Sequence, residues 1–278
     1  MPPRVLVVGL GEVGKPLYEL AKESGRFEVY GYDVDPAESV NSLPEIPRPV
    51  DFLHVVFPYS HRFVEHVVGY VEAFRPRLVV IHSTVAVGTT RRIHEELGVP
   101  VAFSPVRGRH PRLKEHLRFW PKWVAALPGS AVDEAAEHLR SMGLPVRIYK
   151  GGPESLELAK LWETVYRAVM IAAWQELHRV ARRFGADIVA VAEFVAEVHR
   201  VLRDRPVYYP GYIGGHCLIP NVKIMLGQHP SKLLEFVIES NERRAEELKD
   251  PGIAREVEEL KKLFLELTDR GYYGEEAR

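Results

Sequence analysis

The segment from Arg4 to Asp33 constrains the fold most tightly. Arg4–Val8 (RVLVV) is a continuous apolar, β-branched run, the pattern of a strand buried on both faces of a parallel sheet. It leads directly into Gly9-Leu10-Gly11-Glu12-Val13-Gly14, a GxGxxG spacing, and then into a helix-compatible segment over residues 15–24. A second apolar segment, residues 27–32 (FEVYGY), ends at Asp33, about twenty residues past the glycines. Glycines cluster in many turns, so the spacing takes its meaning from its setting between a strand and a helix. There Gly9 makes the tight turn, Gly11 lets the backbone approach a pyrophosphate, and Gly14 allows close helix packing. Backbone N–H groups of Gly11, Glu12, Val13 and Gly14 would face the phosphates at the helix start. Asp33 would accept from the adenosine ribose hydroxyls and repel a 2′-phosphate, which favours NAD over NADP. The plainer alternative is a βαβ unit that holds no cofactor.

The alternation continues for about 150 residues, as a doubly wound parallel sheet requires. Strands are expected over 51–57, 77–82 and 145–149, helices over 60–74, 88–97 and 131–142, and 100–103 and 122–127 are short apolar runs. Residues 1–150 therefore read as a Rossmann-type, NAD-binding domain. Ligands of such sheets bind at the carboxyl ends of the strands, which marks Pro58, Ser83 and Thr84 as neighbours of cofactor or substrate. Histidines are dense between His54 and His116, yet none shows a ligand spacing such as HExxH, and no metal is expected. Residues 104–122 (SPVRGRHPRLKEHLRFWPK) read as a basic loop. It is either a solvated face or a clamp in which Arg107 and Arg109 hold an anionic substrate.

After Gly151-Gly152-Pro153 the pattern changes. From Glu154 to Phe184 there is no glycine or proline, and apolar residues recur at three and four, so a single helix of about 45 Å is expected. A connecting helix over 151–186 would lead into a small all-helical domain over 187–278, with helices at 187–200, 231–247 and 253–269 and a frayed tail at 270–278. The apolar positions of 154–184 exceed what one small domain covers, so this helix is expected to supply a homodimer face. The stretch Tyr209-Pro210-Gly211-Tyr212-Ile213-Gly214-Gly215-His216-Cys217 holds the single cysteine of the sequence behind a run of glycines. That thiol is either a small buried hydrophobe or a group presented to a small molecule.

Composition narrows the class. With 37 basic and 38 acidic residues the net charge is −1, so no global field draws the chain to nucleic acid. No apolar run reaches the roughly 20 residues of a membrane span, and Met1-Pro2-Pro3-Arg4 runs straight into a strand. No signal peptide or membrane partner is expected, and the compartment is expected to be the cytoplasm. One cysteine forms no internal disulfide, which agrees with a reducing compartment.

Taken in order, several motifs resemble the UDP-glucose/GDP-mannose (nucleotide-sugar) dehydrogenase family. They are GLGEVGKPL with GYDVD, HSTVAVGTT at 82–90, Ser104-Pro105, Glu157-Leu158-Ala159-Lys160-Leu161 with Tyr166-Arg167-Ala168, and GYIGGHC. The GGHC form is most similar to the N-acetylmannosamine branch. The resemblance implies NAD as cofactor, Cys217 as nucleophile, Lys160 as the active-site lysine, and Thr84 beside the nicotinamide. It also places Gly214, Gly215 and His216 at the substrate. Family members oxidise a primary alcohol by four electrons: a hydride leaves, the thiolate attacks the aldehyde, a second hydride leaves, and water hydrolyses the thioester. Lys160 would favour the thiolate and stabilise the oxyanion.

The sequence also departs from the family. Thr164 stands where an asparagine is usual, Asn221 where an acidic residue is usual, and Val106 where a glutamate follows Ser-Pro. Thr164 and Asn221 are counted with the candidate catalytic residues on position alone. The chain is expected to lack the family's C-terminal nucleotide-binding domain, and so to have an atypical or reduced substrate site for an alcohol or sugar-derived, possibly anionic, molecule. Two other readings remain: a two-electron 3-hydroxyacid-type dehydrogenase with Lys160 as general acid/base and Cys217 a bystander, and a non-catalytic NAD-binding protein.

Overall fold

A computed structural model describes residues 1–268; the tail expected at 270–278, and the last residue of the helix expected over 253–269, lie outside the described residues. The chain divides into two compact units, Met1–Lys160 and Leu161 onward.

The first unit is a seven-stranded sheet in the order β2-β1-β3-β4-β5-β6-β7. Its strands are β1 (Arg4–Val8), β2 (Glu28–Tyr32), β3 (Phe52–Val55), β4 (Leu78–Ile81), β5 (Val101–Phe103), β6 (Lys122–Leu127) and β7 (Val146–Ile148). Its helices are α1 (Gly14–Glu23), α2 (Phe63–Phe74), α3 (Thr89–Leu97), α4 (Leu113–Phe119) and α5 (Val132–Ser141), followed by the start of α6 (Glu154–Phe184).

Because successive strand residues point to opposite faces, the apolar strands feed two cores. Val5, Val7, Leu78 and Val80 pack under α1, α4 and α5. Leu6, Val8, Val79 and Ile81 pack under α2 and α3 and against Leu156 of α6. This is the doubly wound architecture, with one departure from an all-parallel sheet. β6 runs antiparallel to β5, with Phe103 opposite Ala125. The connecting residues stay at the carboxyl edge of the sheet, so β6 starts where β5 ends. They also contain α4, whose Leu113 and Leu117 are buried in the stretch that reads as a basic loop.

The order in which strands are added reverses between β1 and its parallel neighbour β3, and this switch point lies at the glycine turn. Gly9 has φ +92°, and a Cβ there would stand 2.7 Å from Phe57 N. A Cβ on Gly14 would stand 1.6 Å from the carbonyl oxygen of Gly9. Gly14→Ala is therefore expected to cost about 3 kcal/mol or more of unfolding free energy, read by urea denaturation; a loss under 1 kcal/mol would contradict this closure.

The second unit is helical: α6 from Leu161, then α7 (Ile188–Leu202), α8 (Leu218–Gln228), α9 (Lys232–Glu247) and α10 (Pro251–Leu267). Val165, Ala168 and Ala172 of α6 pack with Ile213, Val222 of α8, and Leu234 and Val237 of α9. Farther along α6, Trp174 and Ala181 pack with Ile188, Ala192 and Ala196 of α7 and Leu260 of α10. The helix α8 is not legible in the sequence, because Gly214-Gly215 and Pro220 read as a loop. Pro220 falls in its first turn, where a missing N–H costs no helical bond. Among the described residues, no helix is long and apolar enough to cross a membrane.

Candidate functional site

At the carboxyl edge of the first unit, the glycine turn, Asp33 and the β3 and β4 ends come together. Gly9 N–H donates to Tyr32 O at 2.9 Å. Asp33 takes Leu10 N–H on Oδ2 at 2.6 Å and Asp35 N–H on Oδ1 at 2.9 Å. Its carboxylate is thereby fixed beside the turn, with lone pairs left for a hydroxyl. A Cβ on Gly11 would meet nothing within 4 Å, so the backbone there is open to a ligand. Glu12 is exposed, Val13 half-buried, and α1 begins with no side-chain cap on its first N–H groups. These features suit a dinucleotide pyrophosphate at a helix N-terminus. Pro58 is exposed just past β3, and Thr84 is half-buried past β4. Ser83 Oγ donates to Phe57 O at 2.7 Å and so ties the two loops together.

Glu157, part of the motif at 157–161, takes a structural role. It is fully buried and accepts from Gly88 N–H (2.6 Å), Thr90 N–H (2.8 Å) and Thr90 Oγ1–H (2.6 Å). Its carboxylate thus caps α3 and anchors the loop that carries Ser83 and Thr84. Burial pushes its carboxyl above the usual range, while the bonds from Thr90 and Gly88 pull against that shift. Lys160 lies one turn further along α6 and is half-buried.

The basic stretch is largely engaged within the unit. Arg107 lies 4.8 Å over the Trp120 ring and donates to Pro121 O at 2.7 Å. Arg109 donates its backbone N–H to His116 Nδ1 at 3.0 Å. Arg112 pairs with Glu115 and Arg118 with Glu23.

Three of the histidines form a buried row with Lys122. His54 Nδ1 lies 2.8 Å from His82 Nε2, and His54 Nε2 lies 2.7 Å from His138 Nε2. Lys122 Nζ lies 3.1 Å from His82 Nδ1 and donates to Ser104 O and Pro105 O. Among the described residues, no group of three or more His, Cys, Asp or Glu side chains is arranged to hold a metal ion. Burial holds all three rings neutral: His54 is lowered to about 3, and His82 and His138 are well below the usual value.

In the second unit, the Cys217 loop is clamped upstream of the thiol. Gln175 Nε2 donates to Gly211 O at 2.7 Å. Asn241 takes Ile213 N–H at 2.7 Å and donates to Ile213 O at 3.1 Å. Past this clamp Gly214, Gly215 and His216 are exposed, and Gly215 has φ +78°. Cys217 is itself exposed and is the N-cap residue of α8, so the reading of it as a small buried hydrophobe is overturned. Thr164 and Asn221, two of the three positions where the sequence departs from the family pattern, are both buried and face each other. Asn221 Nδ2 donates to Thr164 Oγ1 at 2.8 Å, and Thr164 Oγ1 donates to Leu161 O at 2.9 Å.

Residues 154–243 match the central domain of the UDP-glucose/GDP-mannose dehydrogenase family. Through these residues the chain is similar to members of that family. A UDP-N-acetyl-D-mannosamine dehydrogenase of Pyrococcus horikoshii is 25% identical over 272 residues, 80% of this chain and 64% of that relative. The chain thus spans just under two thirds of that relative's length. A solved UDP-D-ManNAc dehydrogenase from Pyrococcus horikoshii superposes with a TM-score of 0.75 at 21% identity, over 87% of this chain and 68% of that one. A 3-hydroxyisobutyrate dehydrogenase from Mycobacterium tuberculosis superposes at 0.64 with 18% identity, over 94% and 99% respectively. At these identities the two structures establish the fold.

Two outcomes follow from the geometry of the first unit. Glu157→Ala should lower the unfolding free energy by about 2 kcal/mol by stranding three donors, and an unchanged urea midpoint would refute the cap. The neutral histidines set a pH dependence. The unfolded chain protonates near pH 6.5 while His54 stays neutral down to about 3, so the unfolded state binds more protons and stability falls on acidification. The slope is up to about 1.4 kcal/mol per pH unit for each histidine. Urea titrations between pH 7 and pH 5 should show that fall, and His54→Phe should flatten it; an equal slope in both proteins would count against it.

Proposed function

We propose that the chain is an NAD-dependent dehydrogenase that oxidises an alcohol, with Cys217 as nucleophile and a substrate site altered from that of the nucleotide-sugar dehydrogenases. The observation that carries this reading is the exposed thiol of Cys217, presented past a backbone clamp in a chain whose other unit has an open glycine turn fixed to Asp33. Bound at that turn, NAD would accept the hydride. Gly11, Glu12, Val13 and Gly14 would hold its phosphates, Asp33 its ribose, and Pro58, Ser83 and Thr84 would line the nicotinamide side. Cys217 would add to the aldehyde formed by the first hydride loss, a second NAD would take the hydride of that thiohemiacetal, and water would open the resulting thioester. Lys160 would stabilise the oxyanion, while Gly214, Gly215 and His216, with Arg107 and Arg109, are the groups proposed for the substrate. The compartment is proposed to be the cytoplasm. The exposed Leu158, Trp162 and Tyr166 of α6 are the proposed face between two copies of the chain.

A two-electron oxidation with Lys160 as general acid/base is the second reading. It is favoured by Asn221, a neutral amide that stands four residues past the thiol and donates to Thr164 Oγ1. Counting NADH formed per alcohol consumed separates the two: two supports the thiol mechanism and one supports the alternative. NAD binding without turnover on sugar nucleotides or hydroxy acids would make the chain a binding protein. Gly11→Ala is expected to leave the urea midpoint unchanged and weaken NAD binding about tenfold, roughly 1.4 kcal/mol; unaltered affinity would remove the glycine turn from the cofactor site.

A further inference from the structure

The second unit holds two buried polar side chains, Thr164 and Asn221, that the reaction described above does not use. Thr164 lies on α6, one turn past Lys160, and Asn221 lies on α8, four residues past Cys217. The hydrogen bonds between the two helices run in one direction. Thr164 Oγ1–H donates back to Leu161 O at 2.9 Å, which leaves the hydroxyl oxygen as an acceptor. Asn221 Nδ2 fills that place at 2.8 Å. Asn221 also donates its backbone N–H to Cys217 O at 3.1 Å, the bond that closes the first turn of α8. One residue thus closes the turn that carries the thiol and bolts it to α6. We propose that Thr164 and Asn221 are positioning residues, a strap that holds the thiol-bearing first turn of α8 on α6 and takes no part in proton transfer.

Burial and chemistry both favour position over catalysis. Thr164 is 9% exposed and Asn221 6%, whereas Cys217 is exposed, so the thiol faces solvent while the two polar groups behind it are closed off. An amide neither gives nor takes a proton near neutral pH, and the hydroxyl proton of Thr164 is committed to Leu161 O. The local structure shows why α8 needs such a strap. Residues 217–220 are exposed or half-buried, and Asn221 and Val222 are the first buried residues of the helix. Pro220 has no N–H, so it ties nothing back to the loop. Upstream, Gly214 and Gly215 offer no side chain to pack, and Gly215 has φ +78°. The clamp on Gly211 and Ile213 therefore ends before the glycines, and the next fixed point is Asn221. Val222 packs with Val165 and Ala168 of α6, but apolar contact is non-directional. The hydrogen bond to Thr164 fixes how α8 is rotated on that surface.

Resting on the reading of Cys217 as nucleophile, the strap has a use. N–H groups at the start of a helix favour a thiolate beside them, and Cys217 is the N-cap residue of α8. That benefit lasts only while the first turn is formed, because a frayed turn has no aligned N–H groups. Attack on a carbonyl carbon also needs the sulfur held at a defined distance and angle. The strap meets both needs without a charge. It also accounts for the two residue types, a hydroxyl that accepts and an amide that donates. An ionised carboxylate at position 221 would have no hydrogen to give Thr164 Oγ1.

Cys217 is the single cysteine of the sequence, so its alkylation reads the strap without background. The measurement is iodoacetamide alkylation of the full chain, followed by mass spectrometry across neutral and alkaline pH. Thr164→Val, which exchanges the hydroxyl for a methyl, should slow the reaction at neutral pH about fivefold and move its midpoint upward. Asn221→Leu should do the same, and Thr164→Ser, which keeps the hydroxyl, should stay within about twofold of wild type. Stability separates positioning from a merely structural role. Thr164→Val strands the amide of Asn221, and adding Asn221→Leu removes the stranded group, so the double variant should regain urea midpoint. Its alkylation should stay slow. Wild-type alkylation in Thr164→Val or Asn221→Leu, a slowed Thr164→Ser, or a double variant whose alkylation recovers with its stability would each overturn the strap. Should Thr164→Val fold poorly, Asn221→Leu decides, since it leaves the Thr164 hydroxyl bonded to Leu161 O. In Thr164→Val, NADH formation should fall with alkylation while NAD affinity stays unchanged. Unchanged turnover beside slowed alkylation removes Cys217 from the reaction and leaves the strap standing. A wild type without turnover overturns the dehydrogenase reading, and alkylation alone then decides the strap.

Discussion

The meeting of Gly9 and Gly14 is the constraint from which the first unit follows. The carbonyl of Gly9 occupies the space where a side chain on residue 14 would start, so β1 can pass into α1 only through residues that have no Cβ there. That closure brings the first turn of α1 against the end of β1. It also presses Gly9 on the backbone past β3 and leaves Leu10 N–H to be taken by Asp33. A helix N-terminus, two strand ends and a carboxylate are thereby assembled at the switch point. In an open α/β sheet this is where strand order and helix dipoles converge on a ligand.

Around that edge, buried polar groups are satisfied by geometry as much as by charge. Glu157 meets three donors of one loop and cap, so α6 begins as a brace for the residues after β4. Lys122 stands among two carbonyls and an imidazole, and its N–H groups meet those carbonyls. The second unit uses neutral amides for the same purpose. Gln175 and Asn241 take the backbone groups of Gly211 and Ile213 out of competition, and the glycines beyond them carry Cys217 outward. A buried backbone polar group costs too much to leave unpaired, and this is why the clamp lies before the glycines and not after them.

Much of this could be read from residues. The GxGxxG turn, the β-branched runs and the glycine-free stretch from Glu154 to Phe184 each carry a period or a steric demand that only one local structure meets. The positions of Thr164 and Asn221 stood out as departures, but their hydrogen bond to each other did not, because the two lie 57 residues apart. The helix α4 was hidden by charge: Arg112 and Arg118 read as loop residues, while Leu113 and Leu117, four apart, supplied too short a stripe to register. The histidine row was hidden by distance, with His54, His82 and His138 spread over β3, the end of β4 and α5.

The sequence by itself determined the local geometry: where the chain must turn without a Cβ, which runs are strands buried on both faces, and that a lone thiol follows a flexible pair of glycines. The tertiary structure alone decided which way β6 runs, that Cys217 is exposed, that Glu157 is a cap, and that four polar side chains from distant segments share one buried row. The reason is physical. Local steric and periodic demands act between neighbours in the chain, whereas hydrogen bonds among buried polar groups are fixed only when separate elements pack and water is excluded.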